Sequence, residues 1–396
     1  MKRKTHAHPR WRWRLGGYLL VGAAIVFFFL VKLQTLIVRD PPDLAELPES
    51  SFEIRRFSNT TQPKLAFLFL ARQHLPLDVL WEHFFEGADS NEYSVYIHTR
   101  PGFSFTKHNT ACRAFVNRQL QASVQVEWGK PSMIQAERLL LAEALQDPLN
   151  ERFLLLSDSC IPLFNFNYIY DYVMSSNKSF VDSFYDYKDY QYNVLMDPIV
   201  TEDKWRKGSQ WFTLTRKHAE MVAEDSKVFS TFVDHCKCFF CKVHDYGTWS
   251  GWLTGLLQKA VPSVSRKDDY VSNDTDSTHN CIPDEHYIQT LLAMKDMEGE
   301  LERRTLTYSR WESSDSKGSR GWHPAAFDAP DIALDFIKEI QGYINVRYDS
   351  EYRTEWCSAG GRPRQCFLFA RKFTKLAVFE LLNIAERYES NIVHVE

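Results

Sequence analysis

The chain has 396 residues, of which 44% are hydrophobic and 14% aromatic, so a disordered protein is excluded and a large core is affordable by length. The net charge of −4 hides an asymmetry: residues 1–39 carry eight Lys and Arg and no acid, leaving 39 basic against 51 acidic groups in the remainder. A folded part with that sign argues against a nucleic-acid binder.

The first segment, MKRKTHAHPRWRWR (1–14), holds six basic residues and reads as a cytosolic tail. LGGYLLVGAAIVFFFLV follows, 17 residues without a charge. At about 1.5 Å per residue it covers roughly 25 Å, and a snorkelling Lys32 with LQTLIV extends it to Val38, enough for a ~30 Å hydrocarbon core. Residues 15–38 are therefore predicted as one transmembrane signal anchor, with Trp11 and Trp13 suited to the interface and the chain beyond it lumenal. A cleaved signal peptide would need a shorter apolar region and a small-x-small site, which VKLQTLIVRD does not offer. Residues 39–62, polar and Pro-bearing, read as a stem.

Three sequons, at Asn59, Asn177 and Asn273, and an even number of cysteines, eight, agree with a secretory compartment. Cys357 and Cys366 enclose SAGGRPRQ, where a bridge would contribute roughly 2.5 kcal/mol. Cys236, Cys238 and Cys241, with His235 and His244, have the composition of a metal cluster but lack a second matching pair. In an oxidising compartment disulfides are the favoured reading.

Residues 63–396 are predicted as one lumenal α/β domain. KLAFLFLA is a continuous apolar run of the kind a buried parallel strand shows, and LDVLWEHFF has helical spacing. YSVYIHT (93–99) and VQVEWG (124–129) read as the second and third strands, MIQAERLLLAEALQD (133–147) as an amphipathic helix, and RFLLLSDSC (152–160) as a fourth, buried strand. SFVDSFYD and QWFTLTR look like further strands and RKHAEMVAEDSKVFSTFVDHC like one helix. Residues 242–280 are polar and turn-rich, an inserted loop. CIPDEHYIQTLL (281–292) reads as a helix with Pro283 at its first position and Asp284 and Glu285 in its first turn, and FARKFTKLAVFELLNIAERY as mostly helical.

Strands alternating with helices predict a doubly wound sheet with ligands beyond the strands' carboxyl ends. That places Arg72, His98, Glu127, Trp128 and Ser157 to Ser159 along one crevice. His98 reads equally as a satisfied structural histidine and Trp128 as core. There is no GxGxxG and no P-loop. The one Asp-x-Asp, Asp274 to Asp276, falls in the polar insertion and reads as a solvated loop, while the strand end SDSC offers a single carboxylate. No metal site is predicted.

Several of these segments together, KLAFLFLAR, LPLDVLWEHFF, VEWGKPSMIQAERLLLAEAL, ERFLLLSDSCIPLFNFNYIYDYVM, WRKGSQWFTLTRKHA, PDEHY, LTYSRW and CFLFARKF, resemble the plant branch of the core-2/I-branching N-acetylglucosaminyltransferase family, in family order from about residue 63 to 385. The resemblance implies a GT-A-like, Rossmann-type mixed sheet flanked by helices, behind a single-pass type II anchor in the Golgi membrane. It implies an inverting transfer from a UDP-sugar, N-acetylglucosamine being the best-known donor, to a glycan or glycoprotein acceptor. No cofactor and no divalent metal are implied, and a homodimer is left open.

Such a transfer needs a carboxylate within about 3 Å of the attacking hydroxyl and, without metal, fixed cations on the departing diphosphate. Glu285 matches the family's catalytic base, although on residues alone it reads as an ordinary helix-start acid whose ionised form the dipole favours. Lys372 matches the diphosphate-contacting lysine. For the second cation the resemblance points to an arginine before the preceding cysteine, Arg364, with Arg362 nearby and Arg371 a rival. Lys207, Trp211 and Trp311 are acceptor-side candidates, the tryptophans reading also as core, and Asp158 is a candidate contact to the donor. The alternatives are a glucuronosyltransferase of arabinogalactan-type glycans, and a catalytically inactive lumenal glycan-binding protein on the same fold, against which Glu285 and Lys372 argue.

Overall fold

The first strand, β1 (Lys64–Leu70), sends Leu65, Phe67 and Phe69 into one hydrophobic core and Ala66 and Leu68 into another. Burial on both faces is why its sequence is a continuous apolar run rather than an alternating one. The computed structural model describes residues 62–185, 191–236, 281–311 and 324–392. The predicted tail, anchor and nearly all of the stem, together with Asn59, Asn273, Cys238, Cys241, His244 and the 242–280 insertion, lie outside the described residues. Among the described residues no helix is long and apolar enough to cross a membrane.

After α1 (Asp78–Phe85) the chain forms β2 (Tyr93–His98), and after α2 (Ser132–Ala144) it forms β3 (Asn150–Ser157); both strands pair with β1 in parallel. The two helices cover opposite faces. Trp81, Phe84 and Phe85 of α1 pack with Phe67, the Phe67 and Phe85 rings standing edge to face at 5.2 Å, whereas Ile134, Leu140 and Leu141 of α2 fill the second core. Next come β4 (Ile161–Pro162), α3 (Phe166–Met174), β5 (Ser179–Phe180) and β6 (Thr213–Thr215). They are followed by α4 (Arg216–Glu224), α5 (Lys227–His235), α6 (Tyr287–Met294), β7 (Leu301–Glu302) and β8 (Thr307–Ser309).

The chain closes with α7 (Leu334–Gln341), the hairpin β9 (Asn345–Tyr348) and β10 (Arg353–Trp356), the short pair β11 (Ser358–Ala359) and β12 (Arg362–Pro363), then β13 (Phe369–Arg371) and α8 (Val378–Ile392). The main sheet has the order β2-β1-β3-β6-β5-β7 and is mixed, because β6 runs antiparallel to both β3 and β5. A three-stranded sheet, β4-β13-β8, stands beside it.

Three predicted elements differ. Residues 124–129 form no strand: the Val124 amide donates to the His98 ring at 3.2 Å instead of to a neighbouring strand. The helix read over 216–236 is two helices, because the Asp225 carboxylate accepts from the amides of Val228 and Phe229 and so starts α5 afresh. The segment from Phe369 is mostly helical, a 3₁₀ turn at Lys375–Ala377 leading into α8, but it opens as the strand β13. Asn177 is exposed between α3 and β5, where a glycan would meet solvent.

Cys357 and Cys366 are bridged, and a second disulfide joins Cys236 at the end of α5 to Cys281, which removes Cys236 from any metal cluster. Among the described residues the remaining thiols, Cys112 and Cys160, are buried and unpaired. The Cys236–Cys281 bridge closes a separation of 45 residues. Replacing both partners by Ser is expected to lower stability by ~4 kcal/mol, against ~2.5 for the Cys357–Cys366 pair, on the loop-entropy relation. Chemical denaturation of the two double variants checks the order; equal losses would contradict it.

Candidate active site

A cleft of about 970 Å³ opens at the carboxyl ends of the three parallel strands. Arg72 follows β1, His98 and Arg100 close β2, and Ser157 to Ser159 follow β3, all lining it, as does Trp128, half exposed on the rim rather than in the core. Of the residues expected along this crevice, exposed Glu127 alone is outside the lining. His98 is a wall residue. Burial holds its pKa down at about 4, so the ring is neutral and accepts the Val124 amide.

One end of the cleft is cationic. β13 runs parallel to β8 and antiparallel to β4, and the Phe373 amide donates to the Ser159 carbonyl at 3.0 Å. This pairing delivers Arg371 and Lys372 beside Asp158, with Arg72 close by. Burial raises the Asp158 carboxyl above its ordinary range while the Arg72, Arg371 and Lys372 charges pull it back. Lys372 is lowered by burial first and by Arg371 second. The Arg371 guanidinium lies 4.5 Å over the Trp211 ring, and its Nε is buried without a hydrogen-bond partner. Three cations around one carboxylate form a place suited to an anion.

Arg364 is elsewhere. Its guanidinium lies 5.8 Å from the Tyr168 ring, its amide donates to the Cys357 carbonyl, and it is not among the cleft residues; neither is exposed Arg362. The arginines at the cationic end are Arg371, the rival reading, and Arg72, which the sequence placed in the crevice without a role. Which arginine lines the cleft is set by the pairing of β13 with strands more than 50 residues away, which no local pattern reveals.

Glu285 stands in the same cleft, within reach of the Arg371 charge. It closes a 3₁₀ turn, Pro283–Glu285, and α6 begins only at Tyr287, so the turn precedes the helix rather than belonging to it. The turn is fixed from several directions. The Gly208 amide donates to the Glu285 carbonyl at 2.9 Å, the Arg206 amide to the Thr290 hydroxyl at 3.1 Å, and His286 Nδ1 to the Arg206 carbonyl at 2.8 Å. The His286 ring also stacks on Trp205 at 4.4 Å. Gly208 can be nothing else, since a Cβ there would sit 1.9 Å from the backbone oxygen of Asp182.

Burial pushes the Glu285 pKa up to about 7, with Asp284 adding to the rise and Lys207 and Arg371 opposing it. The helix-start expectation of a favoured ionised form is corrected: desolvation outweighs the dipole. A carboxylate poised near 7 suits a general base, because it is both available and a strong enough proton acceptor.

Lys207 acts on the charge of Glu285 but is not in the lining; its backbone pairs with Phe184. Trp211 is buried and serves as the floor under Arg371, whereas Trp311 is 56% exposed on the rim, free to offer its face to a sugar. Sequence reasoning missed Asp182, Gln210 and Tyr348, which also line the cleft. Asp182 accepts from the Tyr348 hydroxyl and from the Ser209 amide. An acid inside the apolar run SFVDSFYD was the available signal.

Residues 65–341 match the core-2/I-branching enzyme family. The chain is also similar to Glycosyltransferase BC10 of Oryza sativa subsp. japonica, at 49% identity over 324 residues, covering 81% of this chain and 76% of that protein.

Proposed function

Because the chain belongs to the core-2/I-branching enzyme family and is a glycosyltransferase, we propose that it moves a sugar, N-acetylglucosamine first among candidates, from a UDP-sugar to a hydroxyl of a glycan acceptor. The acceptor oxygen attacks the anomeric carbon as the bond to the diphosphate oxygen breaks; Glu285 takes the hydroxyl proton, and the bonding pair leaves with UDP. Attack from the face opposite the leaving group inverts the anomeric centre. Lys372, Arg371 and Arg72 hold the departing diphosphate, the task a metal ion performs in many sugar-nucleotide enzymes. The observation that carries this reading is one cleft that holds both a carboxylate of pKa about 7 and three cations, with Arg371 close enough to act on that carboxylate. In the same reading residues 15–38 anchor the enzyme in the Golgi membrane, with residues 1–14 in the cytosol and this domain in the lumen.

The test is sugar transfer by the purified chain from UDP-N-acetylglucosamine and UDP-glucuronate, each with and without EDTA. UDP-glucuronate is the informative competitor, because Arg100 adds a cation beyond the three near Asp158. Transfer that survives chelation supports the reading, and transfer abolished by chelator contradicts it. Donor binding without turnover would instead indicate an inactive glycan-binding protein. Lys372→Ala is expected to lower kcat/KM by about 10- to 100-fold, the value of one charge-assisted contact, with the loss reproduced in UDP product inhibition. An unchanged inhibition constant for UDP would remove Lys372 from the diphosphate.

A further inference from the structure

Beneath the cleft floor, α2 carries a glutamate that the proposed chemistry does not use. Glu137 is 1% exposed, and its Oε2 has no hydrogen-bond partner. Its Oε1 accepts from Nε2 of Gln210 at 3.0 Å. An ionised carboxylate in that position would be costly, and burial together with Asp284 raises its pKa well above the ordinary range. Glu137 is therefore a neutral acid with a fixed polarity, its carbonyl oxygen turned toward the Gln210 amide.

That polarity has a consequence for Gln210, which lines the cleft. Its nitrogen is committed to Glu137, so its carbonyl oxygen keeps its accepting capacity for something else. The backbone on which it sits cannot drift: the Ser209 amide donates to Asp182 at 2.8 Å, the Ser209 carbonyl accepts from Gln289 Nε2 at 3.0 Å, and Gly208 is locked against Asp182. Two residues back, Gly208 holds the carbonyl of Glu285; one residue on, Trp211 supports Arg371. Gln210 thus sits in the chain between the residue that holds Glu285 and the one that supports Arg371, in the same cleft lining as both.

Resting on the glycosyl-transfer reading, we infer that Gln210 Oε1 is a specificity-determining acceptor for one sugar hydroxyl beside the reacting centre, and that Glu137 is the positioning residue that turns it there. The chemistry recognised is a hydroxyl donor on a pyranose. It belongs either to the incoming glycan or to the donor sugar, and the experiment separates the two.

Wild type and Gln210→Leu are compared on UDP-sugar and glycan analogues that each lack one hydroxyl. The expected result is about a tenfold loss of kcat/KM for wild type on one deoxy analogue, an equal loss for Gln210→Leu on the intact sugars, and no further loss when the two are combined. The sensitive analogue identifies which sugar Gln210 reads. Glu137→Leu, which frees the amide to turn over, is expected to show the same loss, while Glu137→Gln, which preserves a carbonyl toward Gln210, restores most of it.

A merely structural role would lower transfer of all analogues alike, and Glu137→Gln would give no selective rescue. Additive losses across the deoxy series, or equal effects of Glu137→Leu and Glu137→Gln, overturn the inference while leaving transfer itself intact. Absence of transfer by wild type from every UDP-sugar overturns the parent reading as well. Thermal melting of Gln210→Leu identifies a folding failure, in which case the Glu137 pair decides the matter.

Discussion

Glu285→Gln is expected to lower kcat by about 10²–10⁴-fold, the range that a positioned proton acceptor supplies, with donor and acceptor KM little changed. The amide keeps the volume and most hydrogen-bonding geometry but cannot take a proton at neutral pH. For wild type, kcat/KM should rise roughly tenfold per unit of pH on the acid side and level off above about 7, where Glu285 loses its proton. The residual activity of the variant should lack that limb. A variant with wild-type kcat, or a limb that survives in it, would remove Glu285 from the chemistry.

The same group predicts a stability effect of definite sign. Its native-state pKa is raised, so the folded protein binds this proton more tightly than the unfolded chain does. Stability from this source is present below the ordinary carboxylate value and is lost as pH rises through about 7. Glu285→Gln should therefore denature at higher temperature than wild type at pH 8, with the difference shrinking toward pH 4. Stability is given up where a base is kept desolvated.

Gly208→Ala is the second large effect. The added Cβ would sit 1.9 Å from the Asp182 backbone oxygen and 3.1 Å from Gln289 Nε2, and the first of these cannot rotate away. The strand-like segment 205–208 must move, and with it the amide that holds the Glu285 carbonyl. A displacement on the order of 1 Å at a reacting group costs about 10²-fold, so kcat should fall by at least that much, together with a loss of melting temperature. Alanine at 208 with full activity would show that the Pro283–Glu285 turn is not held through Gly208. Gly299→Ala, where an added Cβ meets nothing within 4 Å, serves as the control.

The two central strands were legible because a run buried on both faces has no polar positions, and Leu65 to Phe69 shows it directly. The antiparallel β6 was less so, since three residues of ladder carry no directional signal. At the site, Glu285 and Lys372 were singled out through motif resemblance and both line the cleft, while the presence of Arg371 rather than Arg364 there follows from β13 lying between β4 and β8. Glu137 was passed over although helical spacing sets it on the buried stripe with Ile134, Leu141 and Ala144; its pairing with Gln210 and its closeness to Asp284 came only from the tertiary structure.

Local order, then, belongs to the sequence: which segments are apolar, which turn residues interrupt them, and which short motifs travel together. The protonation states and pairings that make a site belong to the tertiary structure, because desolvation and charge coupling depend on what lies within a few ångströms in space rather than along the chain. Glu285 shows the division. Its position in the sequence argues for an ordinary ionised acid, and its surroundings raise its pKa to about 7.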